Sequence, residues 1–144
     1  MTSHERPTGG TIRALRTILA ASILSTGLHY THNFVKIDQY PQSDLLPNAT
    51  IQVGILLVWP VLTAVGLIGY RLYARGRERA AHLCLAAYSV VGFASLGHFV
   101  DGKPDIPAFW FGTIFTDALT ALAVVGFVLW SQRAPVALEV RARS

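Results

Sequence analysis

Four long runs of hydrophobic residues, separated by short polar segments, dominate this sequence. They extend over Thr17–Val35, Ala49–Tyr70, Ala80–Val100 and Ile106–Ser131. Each run is close to the ~20 residues that a helix needs to cross the ~30 Å hydrocarbon core of a bilayer. Because only helices and closed barrels satisfy their backbone in lipid, and these runs are too long for barrel strands, the pattern predicts four transmembrane helices. The predicted fold is an all-α, up-and-down four-helix bundle in which residues 1–144 form a single domain.

The basic residues lie on one side of this predicted bundle. All ten arginines fall in the N-terminal segment, in the loop between the second and third runs, or in the tail of residues 132–144. The opposite side receives only Lys36 and Lys103. Positive residues in short loops mark the cytoplasmic side, so we expect a protein of the plasma or inner membrane with both termini in the cytoplasm. This placement accounts for the net charge of +4 without nucleic acid as a partner.

Polar residues recur at helical spacing inside the hydrophobic runs. A lipid-facing surface should be apolar, so these residues identify the face that each helix turns towards the others. Three of the runs carry clear stripes: Ser22, Ser25, Thr26, His29, His32 and Asn33; Cys84, Tyr88, Ser95 and His98; Thr113, Thr116, Asp117 and Thr120. Serine and threonine are also common packing residues in membrane helices. Together the stripes predict a polar cavity that opens towards the extracytoplasmic side.

Histidine and aspartate make this cavity a candidate site, because a charged side chain at membrane depth costs about 2.5–3.5 kcal/mol or more. Two pairs of such residues, each three positions apart on one helix face, close the first and third runs. Their members are the candidate ligands of a transition metal (Zn, Fe or Cu): His29, His32, His98 and Asp101. The candidate catalytic groups are His29, His98 and Asp117. We expect Asp117 to lie deeper than the others, at roughly 13–15 Å below the outer surface.

The two halves of the chain share a short pattern. In the segment 29–41, His-x-x-His is followed by Lys-x-Asp and a proline, and in the segment 98–107, His-x-x-Asp is followed by Lys-x-Asp and a proline. Both segments connect an outward-running helix to a returning one. The pattern predicts two parallel helical hairpins, related by an axis along the membrane normal, whose motifs face each other.

The sequence lacks the residues that several classes of membrane protein require. No lysine lies inside a hydrophobic run, which excludes a retinal Schiff base. The only cysteine, Cys84, excludes an intrachain disulfide and a four-thiolate metal site. A single haem between His29 and His98 stays open as an unfavoured alternative.

Three functions fit the remaining pattern. The first is an enzyme that acts on a lipid or another apolar small molecule at the outer leaflet, by acid–base or metal-assisted chemistry. The second is a carrier of an ion, a metal or a small molecule, with Asp117 as the linked carboxylate. Such a carrier would need to form a homo-oligomer to build a pathway. The third is an accessory subunit of a membrane complex, with a purely structural polar cluster. We favour the enzyme because it accounts for the imidazoles and the carboxylates together.

Overall fold

The computed structural model describes residues 7–41, 45–100 and 102–142, with side chains as far as Gln132. This part of the chain consists of helices and their connections. Four are α-helices: α1 (Gly9–Val35), α2 (Asn48–Ala74), α3 (Glu78–Ala94) and α4 (Ala108–Ala142). Two are short 3-10 helices: η1 (Ile37–Gln39) and η2 (Ser95–Phe99). The all-α class predicted from the sequence is therefore confirmed for the described residues.

The helices are arranged in a ring that follows the order of the chain. Both α1 and α3 pack against α2 and α4. We call the end of the bundle that carries η1, η2 and the start of α4 the site end. We call the opposite end, where residues 75–77 join α2 to α3, the turn end. All of the predicted functional residues on α1 and η2 belong to the site end.

Three helical segments are long and apolar enough to cross a membrane. They are α2, the continuous segment Glu78–Phe99 and the part of α4 over Ala108–Gln132. They contain most of the predicted spans 49–70, 80–100 and 106–131, and they support a membrane localisation. Helix α1, although it has 27 residues, is not among them, because polar residues reduce its mean hydropathy. A fourth crossing by α1 and the orientation of the termini stay predictions.

The buried face of α1 is a regular seam that changes character halfway along. Its buried residues alternate at intervals of four and three: Leu15, Leu19, Ser22, Thr26, His29 and Asn33. This spacing keeps one narrow stripe of a helix against its neighbours. The turn-end half of the seam is leucine, and it joins the apolar core that α3 and α4 contribute to. The site-end half is polar and forms one wall of the candidate site.

Two glycines let the neighbouring helices approach α3 closely. A Cβ added at Gly66 of α2 would lie 2.8 Å from Cγ of Tyr88. A Cβ added at Gly92 of α3 would lie 2.7 Å from the carbonyl oxygen of Asp117. Small residues at such crossings allow backbone-to-backbone packing. The contact at Gly92 also fixes where Asp117 stands relative to η2.

The turn at the opposite end is closed by a glycine with positive φ. Gly76 has φ of 74°, and its N–H donates to the carbonyl of Tyr73 at 2.9 Å. The N–H of Arg77 donates to the carbonyl of Leu72 at 2.9 Å. This pair of bonds is the Schellman motif, which ends a helix and reverses the chain. It sends α3 back along α2 towards the site end.

Candidate functional site

The change from α-helix to 3-10 helix at Ser95 decides which side chains of η2 reach the interior. Residues three apart eclipse each other in a 3-10 helix, so Ser95 and His98 point the same way. Ser95 is buried and donates its hydroxyl to Oδ2 of Asp117 at 2.8 Å. His98 reaches α1, where its Nε2 lies 3.2 Å from Nε2 of His29. The third and fourth hydrophobic runs thus both contribute to one cluster with α1.

The protonation of His29 is set by its contact with α4. His29 is fully buried, and its Nδ1 lies 3.2 Å from Oγ1 of Thr113. Thr113 already donates its hydroxyl hydrogen to the carbonyl of Trp110 at 2.6 Å. It can therefore only accept from His29, which places the ring hydrogen of a neutral imidazole on Nδ1. The Nε2 atom that faces His98 then carries a lone pair.

Asn33 completes a triangle with the two histidines. It lies one turn after His29 on the same seam of α1 and is only 2% exposed. Its Nδ2 is 3.0 Å from Nε2 of His98. Its Oδ1 is buried and has no hydrogen-bond partner among the described residues. Buried polar atoms are nearly always paired, so this oxygen marks an incompletely satisfied part of the cluster.

Asp117 lies one helical turn below Thr113, on the turn-end side of the histidine pair. It is fully buried, and both of its oxygens accept hydrogen bonds from serine hydroxyls. Ser25 donates to Oδ1 at 2.5 Å and Ser95 donates to Oδ2 at 2.8 Å. The carboxyl group therefore ties α1 and η2 to α4. It holds the helices that present the two histidines.

His32 and Tyr40 form a separate contact beside the pair. Nδ1 of His32 lies 3.0 Å from the hydroxyl of Tyr40, and the His32 ring stacks on Trp110 with a centroid distance of 4.4 Å. The Tyr40 ring lies 4.6 Å from the ring of His98. Burial, with a smaller contribution from Asp117, raises the pKa of Tyr40 to about 12, so the phenol stays protonated near neutral pH. Tyr40 thus stands between His32 and His98.

Two openings lie at the site end, and Tyr40 lines the smaller of them. A small cavity of about 100 Å³ is lined by Asn33, Ile37, Tyr40, Pro41, Asn48, Ile51, Gly97 and His98. A wider groove of about 440 Å³ is lined by Thr31, His32, Val35, Lys36, Gln39, Pro107 and Trp110. A further groove, about 1060 Å³, lies at the turn end around Arg77 and His82, away from the predicted site residues. The site end therefore offers a narrow polar pocket and a more apolar groove side by side.

The structure brings some of the predicted site residues together and leaves others apart. It brings His29 and His98 into direct contact, and it puts Asp117 one turn away on α4. His32 is turned towards Tyr40 and Trp110 instead of the pair, and Asp101 lies outside the described residues. Among the residues that are described, no group of three or more His, Cys, Asp or Glu side chains is arranged to hold a metal ion. The predicted four-ligand metal site and the catalytic roles stay predictions.

Two residues of the cluster were not assigned a role from the sequence. Asn33 was visible as part of the polar stripe of α1, and its register with His29 was the available signal. Tyr40 lies after η1 in a connecting segment, where helical periodicity gives no information. The N–H of Asp105, in the segment before α4, donates to the carbonyl of Gln39 at 3.1 Å, and this bond holds the end of η1, and with it Tyr40, at the site end.

No protein-family model, curated protein or solved structure shows detectable similarity to this chain. The functional argument therefore depends on the geometry of the site end and on the chemistry of its residues.

Proposed function

We propose that this chain is a membrane-embedded enzyme that acts on a lipid or another apolar small molecule by acid–base chemistry at the His29–His98 pair. The observation that carries the proposal is the 3.2 Å contact between the two Nε2 atoms at the wall of a cavity. Two imidazoles in hydrogen-bond contact can pass a proton between them.

The two histidines have different roles in this proposal. His98 lines the small cavity, so it is the group that would touch the substrate and exchange a proton with it. His29 is fully buried behind it and is oriented by Thr113. Asp117 supplies the serine-mediated connection between the helices, and we assign it as a positioning residue.

The size of the openings limits the substrate. A cavity of about 100 Å³ accommodates only a few heavy atoms, so it would receive the polar end of a larger molecule. The groove of about 440 Å³ beside His32 has a mainly apolar surface, and its lining includes one lysine, Lys36. An amphipathic molecule with a small polar end fits this combination better than a whole polar metabolite.

The interior below the cluster favours an enzyme over a carrier. The seam of α1 becomes apolar at Leu19 and Leu15, which pack in one cluster with Leu85 and Val124. This apolar layer separates the polar cluster from the turn end. A site that is reached from one end suits catalysis, whereas a carrier needs access from both sides.

The same proposal includes α1 as a fourth span, with both termini in the cytoplasm and the site end outside. Charge distribution supports it: the exposed described arginines lie at the turn end, whereas the site end has the exposed lysines Lys36 and Lys103. A site near the outer surface is accessible to lipids of the outer leaflet.

A turnover assay tests the proposed activity. The protein is reconstituted into lipid nanodiscs and incubated with a total lipid extract and a panel of apolar small molecules, and the mixture is followed by mass spectrometry. We expect one class of molecule to be consumed by the wild type, and at least ~100-fold more slowly by His98→Ala, as expected for loss of an acid–base group. His82→Ala is the matched control, because this histidine is buried at the turn end against Ser131. Absence of any turnover, or equal turnover by His98→Ala, would overturn the proposal.

A further inference from the structure

A groove at the turn end, between the start of α3 and the end of α4, has no part in the proposed chemistry. This turn-end groove has a volume of about 1060 Å³, and its rim includes the exposed residues Arg77 and Arg79. Its wall continues along α3 to Leu83 and Ala86 and along α4 to Val128. Because a helix rises 1.5 Å per residue, the eight residues from the start of α3 to Ala86 extend over about 12 Å. The groove therefore runs parallel to the helices, from a basic rim to an apolar wall.

Contacts between α3 and α4 show how the groove would lie in a membrane. Nε2 of His82 is 2.9 Å from the hydroxyl of Ser131, so these two residues are at one level. The neighbouring Trp130 is 53% exposed, and an exposed tryptophan is typical of the membrane–water interface. Arg77 and Arg79 precede His82 on α3, so they lie farther out, at the level of the lipid headgroups. Both ring nitrogens of His82 face side chains of α4, so His82 closes the groove wall and is not available to a ligand.

The two arginines at the rim carry charge that no described residue neutralises. Neither Arg77 nor Arg79 forms an ion pair or a side-chain hydrogen bond with another residue of the described chain. Glu78 also lines the groove, but it lies in the first turn of α3, where the positive end of the helix dipole stabilises a carboxylate. The guanidinium groups are therefore free to bind an anion from outside the chain.

We propose that the turn-end groove binds one anionic phospholipid from the leaflet at that end of the bundle. Its phosphate lies between Arg77 and Arg79, and an acyl chain lies along the apolar wall. Guanidinium groups bind phosphate oxygens in pairs, and basic pockets between transmembrane helices bind anionic headgroups. A groove of about 1060 Å³ is large for a ligand site, so it has room for acyl carbons as well as a phosphate. This site is separate from the histidine pair and does not depend on the catalytic proposal.

Charge favours this occupant over other parts of the protein. The tail of residues 133–144 contains three arginines and one glutamate, so it does not complement a basic rim. The turn end of a second copy would bring the same arginines against each other. A zwitterionic lipid would add its own ammonium cation to the rim. An anionic phospholipid complements both the arginines and the apolar wall.

Native mass spectrometry of the detergent-purified protein measures lipid binding directly. The protein is titrated with phosphatidylglycerol or with phosphatidylcholine that has the same acyl chains. Each arginine beside an anionic lipid contributes about fivefold in affinity, so we expect one phosphatidylglycerol per chain to bind roughly 25-fold more tightly than phosphatidylcholine. Arg77→Gln and Arg79→Gln should each lose about fivefold of this preference. Arg71→Gln removes the same charge from an exposed residue outside the groove and should keep it.

A second pair of variants tests the apolar wall. Ala86→Trp fills the groove and should weaken the binding of both lipids, whereas Ala87→Trp, at an exposed position outside the groove, should not. Thermal unfolding without added lipid shows that each variant is folded. Equal affinity of the wild type for the two lipids overturns the proposal. An equal loss of preference in Arg71→Gln and Arg77→Gln also overturns it, because the binding would then come from the diffuse charge of the turn end.

Discussion

Replacing Gly92 with alanine tests the closest helix contact in the structure. The added Cβ would lie 2.7 Å from the carbonyl oxygen of Asp117 and 2.8 Å from Cβ of Ala121. Ordinary van der Waals contact begins at 3.4 Å, so the two helices must separate by up to about 0.7 Å. The obstacle on α4 is backbone, which cannot rotate away. The separation would also pull Asp117 away from Ser95, which donates to it from η2.

The expected loss of stability follows from two opposing effects. Overpacking of this kind costs about 1–3 kcal/mol. Alanine in place of glycine in a helix returns up to about 1 kcal/mol. We therefore expect Gly92→Ala to lower the free energy of unfolding by about 1–2 kcal/mol, or the unfolding midpoint by roughly 3–8 °C for a chain of this size.

Thermal unfolding in detergent, followed by tryptophan fluorescence, measures this difference. Gly126→Ala on α4 is the matched control, because a Cβ there meets nothing within 4 Å. We expect the control to unfold at or slightly above the wild-type temperature. If Gly92→Ala and Gly126→Ala unfold at the same temperature, α3 and α4 do not pack as described.

Three further predictions follow from other parts of the structure. Asp117→Ala leaves two serine hydroxyl donors without their acceptor, so we expect it to lower the free energy of unfolding by about 1–3 kcal/mol. Asp117→Asn keeps an acceptor oxygen and should lower it less. Thermal unfolding of the two variants measures the difference, and equal losses would contradict the assignment of these hydrogen bonds. Because burial raises the pKa of Tyr40 to about 12 from 10.0, its contribution to stability is complete below pH 10 and is lost as the pH rises to about 12. Tyr40→Phe should remove this part of the loss of stability at alkaline pH. If the dependence of stability on pH above pH 10 is the same in the variant and in the wild type, the burial of Tyr40 is contradicted. In a Cys84→Ser background, we expect Lys103→Cys to react with an impermeant maleimide in intact cells and Gly76→Cys to react only after permeabilisation; the reverse pattern would invert the proposed topology.

The helical class was predictable because lipid and hydrogen bonding leave few alternatives for long apolar runs. The helix ends were less predictable. Helix α1 begins at Gly9, eight residues before the apolar run, because helix formation there does not require apolar residues. The last turn of the third helical segment is 3-10 from Ser95 to Phe99, and the local sequence contains no signal for that change.

The site was predictable in part. Periodicity identified the inward-facing polar residues, and His29 and His98 do meet, but it did not distinguish His29 from its neighbour His32. Both lie on the same side of the helix. The buried residues of α1 follow one another at alternating intervals of four and three from Leu15, and this spacing continues from His29 to Asn33 instead of to His32. The position of Tyr40 depends on the long-range hydrogen bond between Asp105 and the end of η1 at Gln39, which no local pattern encodes.

Nitrogen-15 NMR of the imidazole rings tests the central claim most directly. The protein is labelled at histidine and reconstituted in lipid bilayers, and the Nε2–Nε2 coupling across a shared hydrogen is recorded. The structure predicts one such coupled pair, present in the wild type and in His82→Ala and absent in His29→Ala and His98→Ala. A spectrum in which every histidine gives the signal of an isolated, water-exposed imidazole would contradict the contact between His29 and His98, and with it the site.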